Sequence, residues 1–357
     1  MDVLVVNAGS SSLKLSVLGE DDTVLAQHHV ERWDGSPGLD LRLPPVHAVG
    51  HRVVHGGTGF TSPTLITADV RREIAALTDL APLHQPRALA GIDAAQVLFP
   101  AVPHVACFDT AFHRTLPAAA STYPLPAAWR DRWDLHRYGF HGLSHAYASR
   151  RAVELAGGGT RVVTCHLGAG CSLSAVHDGR SVDTTMGFTP LAGLPMATRS
   201  GDLDPGLLLH LLDRLTTDEL ADGLAHHSGL AGLSGHADLR DVHAALAAGS
   251  ADAALALDVF THRLRQGIAA MAASMGGLDL LVFTGGIGEH DDQVRARVVD
   301  GLAFLGLTLD REANAAASGD AGIGAKTSRT PVWVVTARED VEIAAGTRTT
   351  LAADTVL

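Results

Sequence analysis

The chain opens with the apolar run Val3-Leu4-Val5-Val6. Six small or polar residues follow, Asn7-Ala8-Gly9-Ser10-Ser11-Ser12, and then Leu13-Lys14-Leu15-Ser16-Val17 alternates with a period of two. A short apolar run reads as a buried strand and strict alternation as a half-buried one, so the pattern predicts strand, small-residue turn, strand. The pattern returns at Val162-Val163-Thr164-Cys165, with the turn Gly168-Ala169-Gly170-Cys171-Ser172 and a strand Leu173-Ser174-Ala175-Val176 closed by Asp178-Gly179. Ala8-Gly9-Ser10-Ser11 matches Ala169-Gly170-Cys171-Ser172, with one residue fewer after it in the second copy. The copies lie about one domain length apart, which makes internal duplication credible. Two related domains facing each other would set two small-residue turns across one cleft.

Elsewhere the period is helical. Val70, Ile74 and Leu77 follow Asp69, a plausible cap. Phe260, Leu264, Ile268, Met271 and Met275 form a stripe that reads as core packing, ended by Gly276-Gly277. Prolines 82, 86, 100, 103, 117, 124 and 126 keep the intervening elements short. Leu278 to Phe283 reads as a strand leading to a third small-residue turn, Thr284-Gly285-Gly286-Ile287-Gly288. A last strand is expected at Val332 to Val335, then a helix carrying Val341, Ile343 and Ala344. Gly157-Gly158-Gly159 marks the domain boundary.

Composition narrows the function. The 357 residues carry a net charge of −12, which argues against nucleic acid as a partner, since that needs Lys and Arg to displace counterions. It leaves room for an anionic substrate at a local cationic site. Aromatics make up only 4%, so the cores must be built from Ala, Leu and Val. Cys107, Cys165 and Cys171 lack CxxC spacing, which gives no disulfide framework or zinc site and fits a reducing cytoplasm. No stretch has the pattern of a signal peptide or of a transmembrane helix, so no membrane role is expected.

Three Gly/Ser/Thr-rich turns each follow a short apolar strand. Small residues let backbone N–H groups approach a phosphate. Any one of them could be a plain hairpin; three, with duplication, favour a nucleotide cleft. No G-x-x-x-x-G-K-[ST] or strand–GxGxxG–helix unit is present. Three further segments concentrate cations: His51-Arg52-Val53-Val54-His55-Gly56-Gly57, Arg137 to His145, and Thr198-Arg199-Ser200-Gly201-Asp202-Leu203-Asp204-Pro205. Guanidinium grips carboxylate and phosphate through paired hydrogen bonds, although a single Arg is more often a surface ion pair and a single His a partly buried hydrogen-bonding residue. H-E-x-x-H is absent, and His141 with His145 supplies only two zinc ligands.

In this order the chain also carries Ala81-Pro82-Leu83-His84-Gln85-Pro86, Cys107-Phe108-Asp109-Thr110-Ala111-Phe112-His113, Met186-Gly187-Phe188-Thr189-Pro190-Leu191, Phe283 to Glu289 and Thr336 to Ala344. With the segments above, and above all Arg137-Tyr138-Gly139-Phe140-His141-Gly142, they resemble the acetate kinase family over nearly the whole chain. These are short-chain acyl kinases of the actin-like, sugar-kinase and chaperone-ATPase superfamily. The resemblance implies an α/β fold of duplicated actin-like ATPase (ribonuclease H-like) domains with a cleft between them. Residues 1–156, joined by a C-terminal helix at 337–357, would form the acid-binding and catalytic domain, and 157–336 the nucleotide-binding domain.

The implied activity is reversible phosphoryl transfer from ATP to the carboxylate of acetate, giving ADP and acetyl phosphate, by a cytoplasmic homodimer with Mg²⁺ or Mn²⁺. By resemblance Asn7 and Glu339 help hold the metal, Lys14 contacts ATP, and Arg52 binds the acid's carboxylate or its acyl phosphate. Asp109 orients the acid or assists the metal, and His141 and Arg199 stabilise the phosphoryl group in flight. His166, Leu167, Gly168, Ala169, Gly170, Asp238, Leu239, Arg240, Gly286, Ile287, Gly288, Glu289 and His290 wrap the nucleotide. Val54, Leu83, Phe140 and Pro190 line a niche for the acyl methyl. The chemistry agrees: the transition state is loose and charge-dispersed, so positioning and cations carry most of the catalysis.

The chain departs from the family pattern by a shortened stretch between Lys14 and Arg52, and by Ala169, Ala192, Pro195-Met196-Ala197 and His290. Propionate or another short-chain acid stays open as the substrate, because one methylene is worth only about 1–3 kcal/mol in such a pocket. A nucleotide-binding relative without acid chemistry is the other alternative; retention of Arg52, Asp109, His141, Arg199 and Glu339 together argues against it.

Overall fold

A computed structural model describes residues 1–9, 12–36, 43–82 and 84–354. The apolar runs and alternating segments become two six-stranded sheets. The first holds β1 (Val3–Ala8), β2 (Ser12–Leu18), β3 (Val24–Glu31), β4 (Ala48–Val53), β5 (Thr64–Leu65) and β6 (His104–Phe108), in the order β3-β2-β1-β4-β6-β5. The second holds β7 (Arg161–Leu167), β8 (Cys171–His177), β9 (Arg180–Thr184), β10 (Leu280–Thr284), β11 (Ala321–Gly322) and β12 (Val332–Val334), in the order β11-β12-β10-β7-β8-β9.

Position by position the sheets share one plan. An antiparallel meander (β1–β3, β7–β9) is followed by two parallel partners (β4 and β6, β10 and β12) and a short antiparallel edge strand. The duplication legible in two short segments therefore extends through both halves, as in duplicated actin-like α/β domains. The closing strand pair is Ala8–Leu13 in the first copy and Leu167–Cys171 in the second, so the second turn is one residue shorter.

The third small-residue turn is corrected by the structure. Gly285 to His290 form a short helix directly after β10; Thr284 stands at its N-terminal boundary without a side-chain capping bond. Gly285 makes this abrupt start possible: its φ is +78°, and a Cβ there would lie 2.7 Å from the Leu167 carbonyl oxygen. Its N–H donates to Glu289 Oε1 at 3.1 Å. The helix Ala68–Ala76 is capped by Thr67, whose hydroxyl accepts from the Val70 N–H at 3.2 Å; Asp69 sits in the first turn, where a carboxylate also favours the helix.

By internal contacts the chain forms two units. One comprises residues 1–114, 140–147 and 338–357, the other residues 115–139 and 148–337. Residues 115–139 thus group with the second sheet, for a visible reason. Arg137 Nη1 donates to the carbonyls of Thr184, Thr185 and Met186, each at 3.0 Å, and the Tyr138 N–H donates to the Gly187 carbonyl at 3.2 Å.

In the first unit one sheet face packs Leu4, Val6, Leu13, Leu15 and Val17 against Ala94 and Ala95 of the helix Gln85–Leu98. The other packs Val3, Val5, Val105 and Cys107 against Ile343 and Ala344 of the helix Glu339–Asp354. A fully buried aliphatic side chain of this kind stabilises by roughly 1.5–3 kcal/mol. This seats the start of that last helix beside the carboxyl ends of the parallel strands. In the second unit the predicted stripe lies on the helix Ala251–Ser274, with Phe260, Leu264 and Ile268 inaccessible to solvent. All three cysteines are buried and free of disulfides.

Candidate active site

Strand parity builds the site of the first unit. Side chains along a strand alternate between faces, so residues paired across a ladder share a face. Asn7 pairs with Lys14, and Val5 pairs with Gly50 two residues before Arg52; Arg52 in turn pairs with Cys107, two residues before Asp109. Asn7, Lys14, Arg52 and Asp109 therefore share the face that the C-terminal helix covers, at the carboxyl end of the parallel strands. Ligands of open α/β sheets gather there. Glu339 opens that helix.

The side chains meet. Arg52 Nη2 donates to Asp109 Oδ2 at 2.6 Å, and its Nε lies 3.1 and 3.2 Å from the two carboxylate oxygens. Arg52 Nη1 donates to Asn7 Oδ1 at 3.3 Å, and Asn7 Nδ2 donates to Glu339 Oε2 at 3.1 Å. Glu339 Oε2 is also 3.8 Å from Arg52 Nε. Burial opposes the charge on Arg52, but the carboxylates of Asp109 and Glu339 outweigh it and hold the guanidinium protonated above its usual range. Burial pushes the Asp109 carboxyl above its ordinary value against the pull of Arg52.

His141 occupies the turn before the helix Gly142–Ala156. Its φ is +56°, a left-handed conformation uncommon for a residue with a side chain. Strain of this kind gathers at functional sites. The turn is pinned beside Asp109: the Gly142 N–H donates to the Asp109 carbonyl at 2.9 Å, and a Cβ on Gly142 would lie 2.1 Å from that oxygen. Val54 and Phe140 are buried, and Phe140 packs edge-on against His55 at 5.6 Å. Leu83 lies outside the described residues.

Arg199 and Pro190 belong to the second unit. Arg199 Nη1 is 3.5 Å from the Pro190 carbonyl oxygen and 3.9 Å from Met196 Sδ. Among the described residues no carboxylate pairs with Arg199, and burial lowers the pKa of its guanidinium. A half-buried cation without a counter-ion is a ready anion site.

The second unit also holds a cavity of about 750 Å³, within the usual size range of cofactor sites. Gly168, Ala169, Asp238, Leu239 and Arg240 line it, as do Gly286, Ile287 and His290. Asp238 caps the helix Leu239–Ala247 through the Arg240 N–H at 2.9 Å, and the Arg240 side chain holds its carboxyl down to about 2. The remaining residues expected at the nucleotide are not in the lining. His166 pairs with Thr284 at the end of β7. Leu167 is buried, and the Gly170 carbonyl accepts from the Gly168 N–H at 3.0 Å. Gly288 packs near the backbone of Phe283 and Cys165. Glu289 Oε1 accepts from the N–H groups of Gly285 and Ala337, at 3.1 and 3.0 Å. Lys14 is exposed on β2 of the first unit.

The profile of the acetokinase family matches residues 39–345. The chain belongs to the acetokinase family. An acetate kinase from Leifsonia xyli is 47% identical over 384 aligned positions, which take in 96% of this chain and 97% of that protein. The crystal structure of an acetate kinase from Porphyromonas gingivalis superposes with a TM-score of 0.90 at 36% identity, over 98% of this chain and 99% of that one. A propionate kinase from Francisella tularensis superposes at 0.89 with 35% identity, over 98% and 99%.

Within this acetokinase-family chain, Ala169, Ala197 and His290, three of the departures, all line the cavity. Among the cavity residues without a role in the sequence reading are His243 and Asp291, joined at 2.8 Å. The only local signal was that Asp291 directly follows the glycine-rich helix. In the first unit, Gln85 likewise had no assigned role. It is fully buried, and its Nε2 donates to the carbonyls of His55 and Ile74 at 2.9 and 3.2 Å, tying down the segment that carries Val54.

Proposed function

We propose that this acetokinase-family chain catalyses reversible, ATP-dependent phosphorylation of acetate to acetyl phosphate. The observation that carries the reading is the convergence of Asn7, Arg52, Asp109 and Glu339 at one end of the first sheet. A carboxylate oxygen of acetate attacks the γ-phosphorus, the bond from that phosphorus to the β–γ bridging oxygen breaks, and ADP leaves. With a pKa of roughly 4–5 the acid is already ionised at neutral pH, so no general base is required. Asp109, buried and engaged by Arg52, is an orienting group. Arg52 receives the acid's carboxylate by giving up its longest hydrogen bond, the 3.3 Å bond to Asn7. His141 and Arg199 neutralise charge on the phosphoryl group in transit; that no carboxylate among the described residues pairs with Arg199 supports that role. Val54, Leu83, Phe140 and Pro190 are assigned to the methyl niche.

The first unit is read as the acid domain, and the second as the nucleotide domain with ATP in the 750 Å³ cavity. Lys14 and the segments at 166–170, 238–240 and 286–290 are assigned to ATP. Mg²⁺, or Mn²⁺ in its place, is assigned to Asn7 and Glu339. The residues fit: both offer hard oxygens, and the cluster sets two carboxylates against one guanidinium. Mg²⁺ keeps several waters and takes one or two protein oxygens beside those of phosphate, so no dedicated cage of protein ligands is called for. When bound, the ion supplies charge neutralisation on the phosphates.

We also propose a homodimer, with the leucine-rich helix Pro205–Leu212 at its interface. Leu207, Leu209 and Leu212 are exposed there, flanked by exposed Leu203 and Leu215. Sedimentation that returns a monomer at micromolar concentration rejects this. The reaction is assigned to the cytoplasm, where ATP is available. Among the described residues no helix is long and apolar enough to cross a membrane.

The test traps acyl phosphate with hydroxylamine in the presence of ATP, Mg²⁺ and each linear acid from formate to butyrate. Acetate should give the most hydroxamate. Nucleotide binding without hydroxamate from any acid would refute the proposal.

A further inference from the structure

The nucleotide cavity has walls from distant parts of the chain. One is the helix Leu239–Ala247; the other is the segment from Gly286 to Gln293. His243 lies on the first wall and Asp291 on the second, and both line the cavity. His243 Nε2 donates to Asp291 Oδ2 at 2.8 Å; a carboxylate only accepts, so this nitrogen carries the proton.

Asp291 is itself held in place. Its Oδ1 accepts from the Val294 N–H at 2.9 Å, capping the helix Asp292–Asp300, and its own N–H donates to the Ile287 carbonyl at 2.9 Å. Among the described residues His243 Nδ1 is buried without a hydrogen-bond partner, so the bond to Asp291 is the one hydrogen bond that the ring makes. Among the described residues, no other side-chain hydrogen bond links residues 237–247 to residues 285–293.

We propose that His243 is a positioning residue for the nucleotide: its bond to Asp291 fixes the spacing of the two cavity walls. This rests on the assignment of that cavity to ATP. Neither residue belongs to the groups assigned to the acid or to the phosphoryl group, so the effect falls on nucleotide affinity and not on the chemical step. A cavity held at its bound width spares the nucleotide the cost of ordering it.

The experiment compares His243→Leu, which removes the donor, with His243→Gln, whose amide nitrogen can take the place of Nε2. Steady-state kinetics with ATP and acetate are read beside calorimetric binding of ADP. His243→Leu should raise KM for ATP and Kd for ADP about tenfold, with kcat within about twofold and KM for acetate unchanged. His243→Gln should stay within about threefold of wild type. If the Leu variant does not fold, His243→Phe, which keeps a flat ring but carries no donor, should again raise nucleotide KM alone. The proposal is overturned by unchanged nucleotide constants, by equal rises in both KM values, or by Gln behaving like Leu. Absence of ADP binding in the wild type would overturn the functional reading itself, and is distinguishable from all of these.

Discussion

Arg52→Met isolates the buried ion pair between Arg52 and Asp109 in the first unit. Met fills much of the volume of the Arg stem but carries no charge. Asp109, whose side chain is 1% exposed, then loses all of its guanidinium contacts: those from Nε at 3.1 and 3.2 Å and that from Nη2 at 2.6 Å. Leaving a buried carboxylate without its cation costs about 3–5 kcal/mol. At roughly 2–4 °C per kcal/mol for a domain of 150–250 residues, Tm should fall by about 6–20 °C. The pH dependence has a definite sign. Burial already raises the Asp109 carboxyl against the pull of Arg52, so removing Arg52 raises it further. A carboxyl with a raised folded pKa binds its proton more tightly in the native state. Its penalty is absent below the unfolded value of about 3.9 and grows as pH rises through the folded value. Thermal unfolding followed by circular dichroism without ligands should therefore show a narrower Tm gap between variant and wild type at pH 5 than at pH 8. A Tm within 2 °C of wild type, or a gap that widens on acidification, would refute the reasoning.

His51 Nε2 and His104 Nδ1 lie 2.9 Å apart in the first sheet, and burial depresses the pKa of both rings. The unfolded chain then binds more protons below about pH 6.5, so stability is lost as pH falls from there towards the depressed folded values, by roughly 1 kcal/mol per histidine over the first unit of pH. Denaturant midpoints should drop between pH 7.5 and 5.5 more steeply in wild type than in His51→Leu; equal slopes would count against the pair. Gly142→Ala places a methyl where only 2.1 Å separates it from the Asp109 carbonyl oxygen, so the turn bearing His141 must shift. A displacement near 1 Å costs about 100-fold in kcat, and a variant retaining more than half of wild-type kcat would show that this turn does not position the reacting groups.

The strand–turn–strand repeats, the helical stripe at Phe260 to Met275 and the last helix were legible because each is a local pattern with its own period. The full duplication was not, because the later strands of each sheet are separated by long and dissimilar insertions. The third small-residue turn failed for a local reason: a glycine with positive φ can start a helix as readily as it can turn a hairpin. At the site, residue types pointed to carboxylate and phosphate chemistry. The convergence of Asn7, Arg52, Asp109 and Glu339 depends on strand register and on the last helix returning to the first sheet, neither of which a linear pattern carries. The His243–Asp291 bond was invisible for the same reason, since one member lies within the helix Leu239–Ala247, the other at the junction before the helix Asp292–Asp300, and the pair matches no spacing rule.

Under the proposed function, cationic side chains act on the phosphoryl group during its transfer and not on the nucleotide at rest. Measuring kcat and the Kd for ATP side by side in Arg199→Ala tests this most directly. Losing about 3 kcal/mol of transition-state stabilisation predicts a fall in kcat of roughly 100- to 1,000-fold, with Kd changed by less than about threefold. A parallel loss of ATP affinity and turnover, or an undiminished kcat, would contradict it.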